Sequence, residues 1–107
     1  MSNKFTLKLM PLAEQDLDGI YNYITNELKN PQAFIKLIQA IEEKLIGLED
    51  MPMRCSLSGI PELRLKGYRK CVINNYVALY KLDEKQQLVI VARVFYGMRD
   101  YKNLDLF

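Results

Sequence analysis

All five arginines of this 107-residue chain, Arg54, Arg64, Arg69, Arg93 and Arg99, lie in its second half, and the chain contains no histidine. Both facts limit the chemistry available. Without imidazole there is no Ser-His-Asp or Cys-His nucleophile and no HExxH metal site. Any attack on a phosphodiester must rely on Lys, Arg, Tyr or carboxylates. Residues 54–107 hold five Arg and five Lys against five Asp/Glu, a net of +5, whereas residues 1–53 hold five Lys against eight Asp/Glu, a net of −3. That asymmetry suits an anionic partner, nucleic acid or an acidic protein, with ordinary solvated charge as the plain alternative. Arg93 stands out because it interrupts the apolar run Leu88–Phe95. It either pairs with a carboxylate at the strand's end, Asp100 or another, or meets a target. Arg99 falls in a loop, where solvated charge and target contact are equally open readings.

The remaining reactive groups are few. Cys55 and Cys71 are the only cysteines and form no CxxC pair, so neither a zinc site nor any other metal or cofactor site is indicated. A reducing cytosol argues against a bridge between them, and free thiols packed in a core are expected. Tyr68, Tyr76 and Tyr80 read as sheet-packing aromatics rather than base-stacking platforms. Half of the chain is hydrophobic and 26% is charged, the balance of one soluble domain spanning residues 1–107. No apolar run reaches the roughly 20 residues of a bilayer span. The start, Met1-Ser2-Asn3-Lys4-Phe5, lacks the apolar stretch of a signal peptide, so a cytoplasmic protein is expected.

These residues must be positioned by a small set of elements. Phe5, Leu7 and Leu9 alternate with Lys4, Thr6 and Lys8, the pattern of a strand with one wet face. Pro11 opens a helix whose stripe is Ala13, Leu17, Ile20, Ile24 and Leu28, with Glu14, Asp16 and Asp18 near its positive end. Asn30-Pro31 starts a second helix as N-cap and first residue, with Phe34, Leu37, Ile38, Ile41, Leu45 and Leu48 as its stripe. Two long helices with so short a join must form an antiparallel hairpin. Ile35 and Ile46 lie off the stripe, either widening the core contact or offering apolar surface to a partner. Met53–Pro61 reads as a loop. Strand signals follow: Leu63 and Leu65 alternating with Arg64 and Lys66, then Tyr68–Ile73, an Asn74-Asn75 turn, Tyr76–Leu82, and Leu88–Phe95, which is apolar on both faces. Alternation puts Arg69 and Cys71 on one sheet face and Tyr68 and Lys70 on the other. The order is β-α-α-β-β-β, an α+β two-layer domain in which a helical hairpin covers a mainly antiparallel sheet.

Four stretches in this order resemble the RelE/ParE superfamily of toxins from type II toxin–antitoxin systems. Leu9 through Ile20, with its Pro, Ala, Asp-Leu and Ile, is similar to the start of the first helix in ParE-like members. Asn30-Pro31-Gln32-Ala33 is similar to the start of their second helix, and Leu63-Arg64 through Tyr80 to their central hairpin. Arg93-Val94-Phe95-Tyr96-Gly97-Met98-Arg99-Asp100 resembles their closing Arg-x-x-His-Gly-x-Arg-Asp segment, with Tyr96 where histidine is common. Met10 likewise stands where the family often carries Ser or Thr before the proline.

The resemblance implies a growth-arresting toxin, a plasmid-stabilisation element, held inactive by an antitoxin from an adjacent small gene. It also implies one of two targets. RelE-like members cut mRNA on the ribosome, and ParE-like members inhibit DNA gyrase. For RNA cleavage the candidates would be Arg69, Lys70, Arg93, Tyr96, Arg99 and Tyr101, with Glu62 as a further carboxylate. The stretch Tyr76–Tyr80, however, lacks the arginine common in the RNA-cleaving branch, and the closing segment fits the ParE branch better. The expectation is therefore a gyrase-binding toxin with Arg93, Tyr96, Arg99 and Tyr101 on the target surface and Ile35 and Ile46 on the antitoxin surface. The alternatives are a histidine-free mRNA endoribonuclease and a non-toxic nucleic-acid-binding module.

Overall fold

A computed structural model of the chain describes residues 4–27 and 30–97. The elements are β1 (Thr6–Leu9), α1 (Pro11–Glu27), α2 (Pro31–Gly47), α3 (Pro61–Leu65), β2 (Arg69–Ile73), β3 (Tyr76–Asp83) and β4 (Leu88–Tyr96). They build the expected α+β domain. The strands form one sheet in the order β1-β4-β3-β2. β4 pairs antiparallel with β3 and parallel with β1, so the N-terminal strand closes the sheet beside the last one.

The helical hairpin covers one face. Ala13, Leu17, Ile20 and Ile24 from α1 and Ile41 and Leu45 from α2 pack on Cys71, Ile73, Ala78, Tyr80, Val89, Val91 and Val94. Each helical set repeats at three or four residues, which holds one stripe toward the sheet. Asn30 caps α2, its side-chain oxygen accepting from the amides of Gln32 at 3.1 Å and Ala33 at 3.3 Å, with Pro31 as the first helical residue.

The opposite sheet face carries a second cluster, Leu63, Tyr68, Val77, Leu79, Ala92 and Phe95, under α3. This explains the two-sided apolar pattern of β4. It also corrects one expectation. The segment around Leu63 and Leu65 is a short helix, not a strand. Pro61 supplies a helical first residue, and two leucines two positions apart cannot share one helical face, so Leu63 is buried while Leu65 is 87% exposed. The Asn74-Asn75 hairpin turn forms as read, with Asn74 at φ 54°.

Candidate functional site

The C-terminal end of β4 is where the charged and aromatic candidates gather. Opposite the Leu79/Tyr80 step the β3–β4 register slips, with Leu79 facing Arg93 and Tyr80 facing Val91, so Ala92 is an extra, bulged residue. A bulge re-aims the side chains beside it. Here it serves Arg93, whose guanidinium meets the Asp16 carboxylate of α1 with two bonds, Nε to Oδ2 at 2.6 Å and Nη2 to Oδ1 at 2.9 Å. The same Asp16 Oδ2 accepts the Val94 amide at 3.0 Å. β1 has already ended at this level, so the carboxylate satisfies a strand amide that no neighbouring strand reaches. Arg93 is 8% exposed and its guanidinium faces Asp16. Of the two sequence readings for Arg93, pairing with a carboxylate is the one the geometry shows, and that carboxylate includes Asp16.

Beyond the pair lies an open groove of about 550 Å³ between α1 and the ends of β3 and β4, walled by Tyr23, Tyr76 and Tyr96, with Gly19 and Ile20 on its helical side. Tyr76 and Tyr96 meet edge to face, ring centres 5.9 Å apart and planes at 85°. Tyr76 is buried and its hydroxyl pKa is raised, first by burial and then by the neighbouring Tyr23 and Tyr96. Tyr23 and Tyr96 are 61% and 50% exposed. Past Tyr96 the chain turns through Gly97, whose amide bonds Asn75 O at 2.8 Å; a Cβ there would stand 3.1 Å from that oxygen. Arg99 and Tyr101 lie outside the described residues, as do Asp100 and Leu28.

The other candidates sit elsewhere. Arg69 donates Nη1–H to Cys55 O at 2.7 Å and lines a second concavity of about 570 Å³, shared with Lys66, Lys81 and Lys85, with Asp83 and Glu84, and with the apolar Met53 and Leu57. Lys70 follows Arg69 on β2 and therefore points to the opposite sheet face. Glu62 is exposed on α3. Among the described candidates, Arg69 and Lys70 thus lie on opposite faces of the sheet. Ile35 and Ile46 stand 50% and 54% exposed on α2. Ile46 borders an apolar groove with Leu7, Leu9 and Tyr21 whose rim carries Glu14, Asp18 and Glu42.

A family model, the ParE toxin of the type II toxin–antitoxin system parDE, matches residues 7–101. This chain belongs to the ParE toxin family. Among curated proteins none matches it. Solved structures share its fold, among them two toxin–antitoxin systems. One is the chromosomal ParDE toxin–antitoxin system from P. aeruginosa, with a TM-score of 0.66 at 23% identity, covering 89% of this chain and 98% of that one. The other is the RelBE2 toxin–antitoxin complex from Mycobacterium tuberculosis, with a TM-score of 0.61 at 19% identity, covering 87% of this chain and 98% of that one.

The ParE-family match spans both Asp16 and Arg93, so the buried pair joins the two ends of the matched region. Sequence reasoning assigned Asp16 only to the helix dipole. The signal it passed over is position: Asp16 lies three residues after Ala13 and four before Ile20, on the border of the buried stripe, where a carboxylate needs a partner. Tyr23 was not singled out, because an exposed helical tyrosine has no signature until β4 lies beside it. Burial pushes the Cys71 thiol up to about 12 and raises the hydroxyls of Tyr68 and Tyr80 as well, so these groups hold their protons at neutral pH. Among the described residues, no helix is long and apolar enough to cross a membrane.

Proposed function

We propose that this ParE-family toxin arrests growth by binding and inhibiting DNA gyrase, without chemistry of its own, and that an antitoxin encoded by an adjacent small gene holds it inactive. The observation that carries this reading is the commitment of Arg93 to Asp16, together with the separation of Arg69 from Lys70 across the sheet. RNA cleavage needs a base, an acid and converging cations at one phosphate. The described thiol and tyrosines with shifted pKa move away from a base's range, and arginine is a poor proton shuttle.

On this reading the target surface is the end of β4. Tyr96 and Tyr23 offer exposed aromatic area beside a rigid strand end, and the chain continues through Arg99 and Tyr101. Tyrosine and arginine are the residue types that anchor protein interfaces. Arg93 acts through Asp16 by fixing the strand that presents Tyr96. The antitoxin surface is the outer face of the helical hairpin around Ile46 and Ile35. The apolar groove with its Glu14, Asp18 and Glu42 rim suits an amphipathic segment carrying basic residues, folding as it binds.

The concavity in which Lys66, Arg69, Lys81 and Lys85 outnumber Asp83 and Glu84 favours a second reading, ribosome-dependent mRNA cleavage. One experiment separates the two. The toxin is induced without its antitoxin while transcript ends and the DNA-damage response are followed, and purified toxin is added to gyrase in a supercoiling assay. Growth arrest with a raised damage response, lost supercoiling and no new transcript ends is expected. Codon-linked cuts in mRNA that disappear in Arg69→Ala or Lys70→Ala would establish the nuclease reading instead.

A further inference from the structure

We propose that Cys55 and Cys71 form a reversible dithiol/disulfide site that fastens the 52–57 loop to β2. The argument starts from register. Leu57 bridges antiparallel to Arg69. The flanking bonds, Ser58 N to Tyr68 O at 2.9 Å and Lys70 N to Ser56 O at 3.0 Å, make Leu57/Arg69 a non-hydrogen-bonded pair. Continuing that register two residues along both segments sets Cys55 opposite Cys71, at a position of the same non-hydrogen-bonded kind. Such pairs hold their Cα atoms about 4.5 Å apart with side chains on one face, inside the range of roughly 4.4–6.8 Å that a disulfide spans.

The surroundings keep the two thiols in place. Cys55 O accepts from Arg69 at 2.7 Å, and Pro52 O accepts from the Tyr80 hydroxyl at 2.8 Å, so the loop is tied down on both sides of the cysteine. Cys55 is near enough to Cys71 to help raise its pKa, after burial, and both thiols are free. They also differ as partners should. Cys55 is half-buried and open to an oxidant, whereas Cys71 is fully buried among Ile73, Tyr80 and Leu45. The first step therefore belongs to Cys55. Its thiolate attacks one sulfur of a small disulfide such as oxidised glutathione, and one glutathione leaves. The Cys71 thiol then attacks the Cys55 sulfur of the mixed disulfide, and the second glutathione leaves carrying the proton. Two protein thiols are oxidised by two electrons and one oxidised glutathione is reduced to two thiols. Burial holds Cys71 protonated, so this second step quickens as pH rises.

Closing the bridge links the loop that carries Met53 and Leu57 to the sheet edge, and with it one wall of the basic concavity. The full-length toxin, reduced and then treated with oxidised glutathione without denaturant, provides the test. Intact mass should fall by two hydrogen atoms, a Cys55–Cys71 peptide should appear, and the melting temperature should rise by several degrees, all reversed by dithiothreitol. The Cys71→Ala variant should stop at the glutathione adduct on Cys55, and Cys55→Ala should not react. Wild-type protein that stays reduced, that stops at the adduct, or that forms only intermolecular dimers would overturn the proposal. Because the readout is on the wild-type chain, it does not depend on either variant folding, and it is independent of the toxin's target.

Discussion

Asp16 and Arg93 stand 77 residues apart in the chain and form a two-bonded ion pair whose side chains are only 12% and 10% exposed. The pair ties the first turns of α1 to the bulged end of β4. It is also where one carboxylate serves two needs, a guanidinium and an otherwise unpaired strand amide. Two charges taken out of water hold together only while both are present and well aligned.

Removing one partner should therefore be severe. Arg93→Ala or Asp16→Ala is expected to destabilise the toxin by about 3–5 kcal/mol, because a buried charge loses its two-bonded partner. Arg93→Lys should recover only part of the loss, since an ammonium cannot make the two-bonded contact. Urea unfolding of the three variants checks this. Equal stability of Arg93→Lys and wild type would show that charge alone, without the fork geometry, holds the strand end.

Tyr96→Ala should behave in the opposite way. The ring is half exposed, so the folded state should lose only about 1 kcal/mol or less. Toxicity should nonetheless fall sharply if the end of β4 is the target surface. Growth after induction, read beside a thermal melt, separates the two effects. Tyr96→Phe keeps the ring and its edge-to-face contact with Tyr76, and should retain activity unless the hydroxyl bonds the target.

On the helical hairpin, Ile46→Glu and Ile35→Glu should leave the melt nearly unchanged because both side chains already face solvent. Antitoxin affinity should drop at least tenfold for Ile46→Glu, about 1.4 kcal/mol, and less for Ile35→Glu. Ile46 borders the apolar groove with Leu7, Leu9 and Tyr21, where a carboxylate would take the place of apolar surface that the antitoxin segment covers and would have to be desolvated on binding. Calorimetric titration of the antitoxin against each variant measures it; unchanged affinity in both would move the antitoxin to another face.

Alkaline stability follows from the buried protons. The folded state holds the Cys71 proton more tightly than an ordinary thiol, with its pKa moved from 9.0 to about 12 by burial, so this contribution is complete below about pH 9 and is lost as pH climbs toward 12. Burial shifts Tyr80 and Tyr68 the same way. Denaturant midpoints measured from pH 8 to 11 should fall steadily, and Cys71→Ala should flatten the early part of that fall.

Much of the molecule was determined locally and could be read without coordinates. The stripes of α1 and α2, the Asn30-Pro31 cap, the Asn74 turn and the two-sided strand β4 each depend on neighbours within a few residues, through helical or strand periodicity and backbone preference. So does the resemblance of Leu9–Ile20 and Arg93–Asp100 to the toxin family. The rest required contacts between distant segments. Whether Leu63 and Leu65 sit on a strand or a helix depended on Pro61 and on the apolar face of β4 that Leu63 caps, and the alternation alone pointed the wrong way. Arg93 was legible as an anomaly but not as the partner of Asp16, because a bulge at Ala92 and the early end of β1 decide where its side chain goes. Cys55 and Cys71 look unrelated by spacing; an antiparallel bridge between Leu57 and Arg69 sets them face to face. Pairing across the sheet is set by register between segments far apart in sequence, and no local pattern encodes it.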